Sequence, residues 1–217
     1  MTKIHTLKPE QDGIAKLFNG DKNVLLSPNT VKYPHFYDIR EEIRNQFWIA
    51  DEVDMTQDVK QFPNLTPEEQ DAFLKIIGLL ATLDAPQTDL AEELADLSTD
   101  PSVKATLATI GDQETEHNMS YSYVLSSVTT MDKQNESFEL GRTDPVLLKR
   151  NERIVKVYNE FVQNPNIETA LKAMVYTSLL EGMYFYSAFA YFYNLARNGK
   201  MLGTSTMISY INRKRAC

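Results

Sequence analysis

The chain has 217 residues, 42% of them hydrophobic, enough for one domain with a sizeable core. A net charge of −8 and a pI near 5.0 argue against a nucleic-acid backbone or an anionic membrane as the main partner. The single cysteine, Cys217, is the last residue, which excludes an internal disulfide and fits a reducing, cytoplasmic setting.

Met1 to Glu10 carries no apolar core of the signal-peptide kind. Residues 1–37 read as an N-terminal segment, extended from Asn29 to Tyr37 around Pro34, ahead of one helical domain over 38–217. Asp38 to Ile49 reads as helix, apolar at Ile39, Ile43, Phe47 and Trp48. Thr66-Pro67-Glu68-Glu69 is a capping box with proline at the first helical position. The helix it opens carries Phe73, Ile76, Ile77, Leu80 and Leu83 on one face, then Asp84, and continues to about Leu97. Pro86 removes a backbone donor and is expected to bend it.

Asp100-Pro101 repeats the start signal for a helix through Leu107, Ile110, Glu114, His117 and Tyr121 to about Val128. Thr129 to Thr143 is polar and reads as a connection. Asp144-Pro145 starts another helix, which ends before Pro165. Asn166 opens a long apolar helix that stops at Asn198-Gly199. Thr204 to Arg213 reads as a last helical stretch. At least six helices with mostly short links indicate an all-α bundle. Leu171 to Ala196 is long enough to span a membrane. Lys172, Glu181 and Asn194 interrupt it, however, and its aromatics are not gathered into two belts. The centre of a large core is the better reading.

Glu114 and His117 stand three positions apart and share a helix face, so a carboxylate oxygen and an imidazole nitrogen can hold one metal ion. Glu-x-x-His alone is weak, and a lone histidine is more often structural. Asp84 and Glu181 add weight, each a carboxylate inside a strongly apolar helix. Burying such a group without a partner costs several kcal/mol, roughly. Two readings stay open for Asp84: a polar rim or cap near Pro86, or a ligand. For Glu181 the ligand reading is stronger, because its helix has no obvious wet face and Gly182 allows close approach. Glu116 points elsewhere and reads as solvated. Tyr121, one turn beyond His117, is either a packed, hydrogen-bonded tyrosine or a redox-active phenol. Phe185 and Phe189 continue the face of Glu181 and could wall such a phenol from water. Tyr184, Tyr186, Tyr191 and Tyr193 read as packing or interface residues. A donor set rich in carboxylates and poor in nitrogen suits iron or manganese better than structural zinc.

Taken together, these residues resemble the radical-generating small subunit of class I ribonucleotide reductase, from about Asp38 to Arg213. The resemblance implies a ferritin-like bundle with a dinuclear iron or manganese site, and a role in reducing ribonucleotides to deoxyribonucleotides. It implies Asp84, Glu114, His117 and Glu181 as metal ligands and Tyr121 as the radical tyrosine. Phe185, Phe189 and Ile211 match the apolar pocket around the radical. Phe47-Trp48 resembles the start of the radical-transfer path, with Trp48 as relay. The implied partners are the family's large subunit and a second copy of the chain, with no nucleic acid and no membrane.

The family motif after Ile211 continues Arg-Asp-Glu-x-x-His. Here Arg213 is followed by Lys214-Arg215-Ala216-Cys217. Arg215 stands where a glutamate ligand is expected, and Lys214 replaces an aspartate. The expectation is therefore a truncated subunit with an incomplete ligand set, its coding sequence interrupted after Arg213 by an intron, an intein or a frameshift.

Overall fold

The structure, a computed structural model, describes residues 16–18, 25–27, 29 and 31–215. The expectations for Met1 to Glu10, Ala216 and Cys217 lie outside the described residues. Nine α-helices and no strand occur among the described residues. They are α1 (Pro34–Asn45), α2 (Thr56–Gln61), α3 (Pro67–Leu97), α4 (Pro101–Val128), α5 (Met131–Thr143), α6 (Pro145–Gln163), α7 (Ile167–Leu179), α8 (Tyr186–Arg197) and α9 (Leu202–Arg215). None is long and apolar enough to cross a membrane.

Two helices form the spine. α3 has 31 residues and α4 has 28, and they make the most extensive helix pair in the chain. Their starts are set by the expected caps. Thr66 Oγ1 accepts from Glu69 N at 3.2 Å, and the Glu69 carboxylate accepts from Thr66 N at 3.0 Å. Asp100 Oδ1 accepts from Ser102 N at 2.9 Å and Val103 N at 3.2 Å. Only three residues join the two helices, so they run antiparallel. Phe73, at the start of α3, meets Phe62 and Phe192 edge-on at 5.3 and 5.4 Å.

Several sequence expectations are corrected. Helix α1 begins at Pro34, not Asp38, because proline occupies the first turn, where no backbone donor is needed. It ends at Asn45, so Phe47 and Trp48 lie in the loop that follows. The helix of α3 runs unbroken through Pro86, on the flank that borders an open groove, where solvent can reach the carbonyl a proline releases.

Residues 131–143 form α5 rather than a connection. Its buried face is small and polar, Gln134, Ser137 and Gly141, so an apolar period cannot reveal it. Close approach holds it instead. A Cβ on Gly78 of α3 would collide with the Ser137 carbonyl, and one on Gly141 would lie 2.7 Å from Thr82 Oγ1.

The long apolar helix is also not one element. A π-helical turn, Leu180–Phe185, separates α7 from α8. Nor is the helix buried all round. Ala170, Ala173, Leu180, Phe185, Phe189 and Phe192 face the core, while Ile167, Leu171, Val175, Leu179 and Met183 form an exposed stripe at four-residue spacing. α8 stops as expected: Gly199 has φ of 72°, and Lys200 N donates to Leu195 O at 3.0 Å.

α9 is fastened from outside its own sequence. Asp58 of α2, fully buried, accepts from Gly203 N at 2.9 Å, Thr204 N at 2.6 Å and Thr204 Oγ1 at 2.7 Å. It therefore caps the first turn of α9 across the tertiary fold.

The α3–α5 contact gives a direct check. Gly78→Ala should lower stability by about 1–3 kcal/mol, because α5 has to move. Gly111→Ala, where the added carbon meets Ala91 Cβ at an ordinary 3.6 Å, should stabilise by a few tenths to about 1 kcal/mol. Thermal melts of the two variants decide the matter: a Gly78→Ala melt equal to wild type would refute the close packing of α5.

Candidate metal centre

α4 presents Glu114, His117 and Tyr121 at i, i+3 and i+7, all buried. α3 presents Asp84 and Gln87 at i and i+3, also buried. Antiparallel pairing brings the two faces together. Ligand atoms of Asp84, Glu114 and His117 all lie within 4.8 Å of one another. His117 Nδ1 is 3.0 Å from Glu114 Oε2. Asp84 is 0% exposed, Glu114 8% and His117 2%. Two carboxylates and one imidazole thus share a site closed to water. Dehydrated charge of one sign is costly to bury, and a divalent cation among these atoms would offset it. Hard oxygen donors with one imidazole nitrogen fit iron or manganese.

Glu181 stands apart from that group. It is half-buried on the π-helical turn, and its Oε1 accepts from Gln87 Nε2 at 2.7 Å. Gln87 in turn accepts from the Tyr158 hydroxyl, which also pairs with Thr177 Oγ1 at 2.8 Å. The Tyr158 phenol is pushed up to about 12, chiefly by burial, with the Glu114 carboxylate adding to it and the Thr177 bond opposing. It is a neutral donor throughout the physiological range. The sequence reading missed Gln87, Tyr158 and Thr177. Gln87 was recoverable, being a polar residue on the apolar face of α3, three after Asp84. Tyr158 and Thr177 were not, because only the fold brings α6 and α7 to this point.

Tyr121 is fully buried, as are Phe185, Phe189 and Ile211 in the same core cluster. The Phe185 and Phe189 rings stack at 6.2 Å and 13°. Of the other tyrosines, Tyr191 donates to Glu69 O at 2.7 Å, Tyr193 accepts from Asn212 at 3.0 Å, and Tyr184 lies under the Arg150 guanidinium. Tyr186 is exposed.

The family profile described as "Ribonucleotide reductase, small chain" matches residues 26–217. The chain belongs to the ribonucleotide reductase small-chain family. It is 48% identical over 197 residues to the ribonucleoside-diphosphate reductase subunit beta of Halalkalibacterium halodurans, covering 91% of this chain and 57% of that relative. The chain thus spans little more than half the length of that curated relative. Among solved structures it superposes on the ribonucleotide reductase R2 subunit from Clostridium botulinum with a TM-score of 0.91 at 38% identity, covering 99% of this chain and 67% of that one. The dimanganese(II)-NrdF of Streptococcus sanguinis gives 0.80 at 25% identity, covering 89% and 66%. The architecture is the ferritin-like helical bundle of these R2 proteins.

Within this family member, Trp48 is 2% exposed, whereas Phe47 beside it is 65% exposed. The Trp48 ring lies 5.5 Å from that of Tyr210 on α9, tilted by 57°. The Arg213 guanidinium sits 5.4 Å from the Tyr210 ring centre. Glu116 is not the solvated residue expected. It is half-buried, and its Oε1 accepts from Ala50 N at 2.8 Å, pinning the loop that carries Trp48. The spacing of Glu114, Glu116 and His117 explains the split: a residue one or two positions off the inward face points to a different neighbour.

Trp48 is the single tryptophan, so its emission reports this loop alone. Glu116→Ala should shift that emission to longer wavelength as water reaches the ring. An unshifted spectrum would show that the Glu116–Ala50 bond does not hold the loop.

Proposed function

We propose that the chain acts as the radical-generating small subunit of a ribonucleoside-diphosphate reductase, serving the reduction of ribonucleotides to deoxyribonucleotides for DNA synthesis. The observation that carries the reading is the buried Asp84, Glu114 and His117 group, with ligand atoms within 4.8 Å, in a chain of this family. Asp84, Glu114, His117 and Glu181 are the residues that would hold a dinuclear iron or manganese cofactor. When bound, that cofactor supplies the oxidising power, drawn from dioxygen or a related oxidant, that no amino-acid side chain provides.

The chain's own residues do the rest. Tyr121, one helical turn beyond His117, is the phenol that gives up an electron and a proton and stores the oxidation. Its full burial, shared with Phe185, Phe189 and Ile211, excludes the water that would quench it. Trp48, closed from solvent beside Tyr210, is the relay toward the large subunit. The partners in this reading are that large subunit and a second copy of the chain, without nucleic acid or membrane, in the cytoplasm. The domain carrying these roles is 38–217, extended forward to take in the start of α1.

Metal loading followed by electron paramagnetic resonance tests the reading. His117→Ala should lower bound iron or manganese at least about tenfold. Unchanged metal content in that variant sinks the site. A long-lived tyrosyl signal in the loaded protein, absent from Tyr121→Phe, supports radical storage. A loaded protein with no such signal would instead be a metal oxidase lacking a radical tyrosine.

A further inference from the structure

The Glu181 carboxylate is held by a hydrogen-bonded chain whose direction can be worked out. Gln87 Nε2 donates to Glu181 Oε1 at 2.7 Å. The other end of the same amide, Gln87 Oε1, accepts from the Tyr158 hydroxyl. A phenol has one proton, and here it is spent on Gln87. The 2.8 Å bond between Tyr158 and Thr177 therefore has the Thr177 hydroxyl as donor. Every donor points the same way, from Thr177 through Tyr158 and Gln87 to the Glu181 carboxylate. Bonds aligned in this manner polarise and strengthen one another away from water. Gln87 is 4% exposed and Tyr158 5%. The four residues come from α3, α6, α7 and the π-helical turn, so no single helix accounts for the arrangement.

The chain also fixes the amide's orientation. With its oxygen held by Tyr158, Gln87 has only its NH2 group to offer Glu181. Glu181 is thus engaged beside the Asp84, Glu114 and His117 group rather than within it.

We propose that Gln87, oriented by Tyr158 and Thr177, is a tether that holds Glu181 beside the metal-ligating group, so that Glu181 becomes a ligand only when a divalent cation displaces the amide. Gln87 and Tyr158 are positioning residues in this scheme, and the proposal rests on the metal-site reading above. The tether stabilises the carboxylate before the cation arrives and competes with it afterwards. Removing the tether therefore tightens cation binding, whereas damage to a merely structural contact would loosen it.

The test is a Mn(II) titration of the full chain, with free Mn(II) read from its electron paramagnetic resonance signal. Gln87→Leu should bind Mn(II) about tenfold more tightly than wild type, and Tyr158→Phe about threefold more tightly. In a Glu181→Gln background neither change should alter the affinity. Circular dichroism melts confirm that each variant is folded. Should Gln87→Leu fail to fold, Tyr158→Phe, which removes one oxygen atom, decides. Equal or weaker Mn(II) affinity in the folded variants overturns the tether, and so does tightening that persists without the Glu181 carboxylate. A wild-type chain that takes up no Mn(II) overturns both the tether and the metal site. Uptake that is indifferent to these substitutions overturns the tether alone.

Discussion

The constraint on which the structure depends is the burial of two carboxylates at the α3–α4 contact. Asp84 and Glu114 sit where water is excluded, with His117 beside them. Ionised carboxylates tolerate such a place only if oppositely charged or hydrogen-bonding groups meet them. Those groups have to be aimed, which requires the register of the two longest helices to be held. Caps at Thr66 and Asp100 set where each begins. Gly78 then lets α5 press against the α3 backbone, two turns before Asp84. Rigid, close-packed helices around a charged centre are what keep donor atoms in place without a ligand to organise them.

The π-helical turn answers the same constraint from the opposite side of the site. An α-helix continued through Leu180–Phe185 would repeat the α7 surface, apolar inside and out. One wider turn shifts the phase, and Glu181 is thereby turned to Gln87 while Phe185 and Phe189 stay in the core. Turns of this kind are costly in hydrogen-bond geometry and recur at functional sites. Here the return is a carboxylate delivered to the edge of the charged centre by a helix that otherwise carries grease. The same helix leaves Leu171, Val175, Leu179 and Met183 exposed on its outer flank, which explains why it reads as apolar all round.

What was legible in the sequence follows from this physics. Helices with side-chain caps or proline at the first position, such as α3, α4, α6 and α7, announced their starts. The inward carboxylates and His117 were legible as polar residues on apolar faces, and the structure brings three of the four ligand candidates into one group. Helix α5 was not legible, because its packing uses Ser137 and Gly141, which leave no hydrophobic period. Nor was the π-helical turn, since a shift from four- to five-residue bonding has no composition of its own. Tyr158 and Thr177 acquire meaning only through contacts with residues 71 and 19 positions away along the chain. Glu116 shows the limit from the other direction: its polarity was visible, but its partner, Ala50 N, is a backbone group that no side-chain pattern can name.

α4 also links the charged centre to Trp48. Its inward residues, Glu114, His117 and Tyr121, line the buried face, while Glu116 and Tyr123 turn to the loop between α1 and α2. Glu116 takes the Ala50 amide at 2.8 Å, and seven residues on, Tyr123 donates to the Val53 carbonyl at 3.3 Å. Two turns of one helix thus fasten both ends of a four-residue span that starts two residues after Trp48. The remaining wall around the tryptophan is Tyr210 on α9, and α9 is itself locked by the Asp58 cap on Gly203 and Thr204. Breaking either fastening would leave the charged centre intact yet free Trp48 to move relative to it. A transfer of charge between Tyr121 and Trp48 depends on a constant separation. The fold meets that need by mounting both sites on the same rigid helix, with polar side chains on its second face serving only to hold the loop.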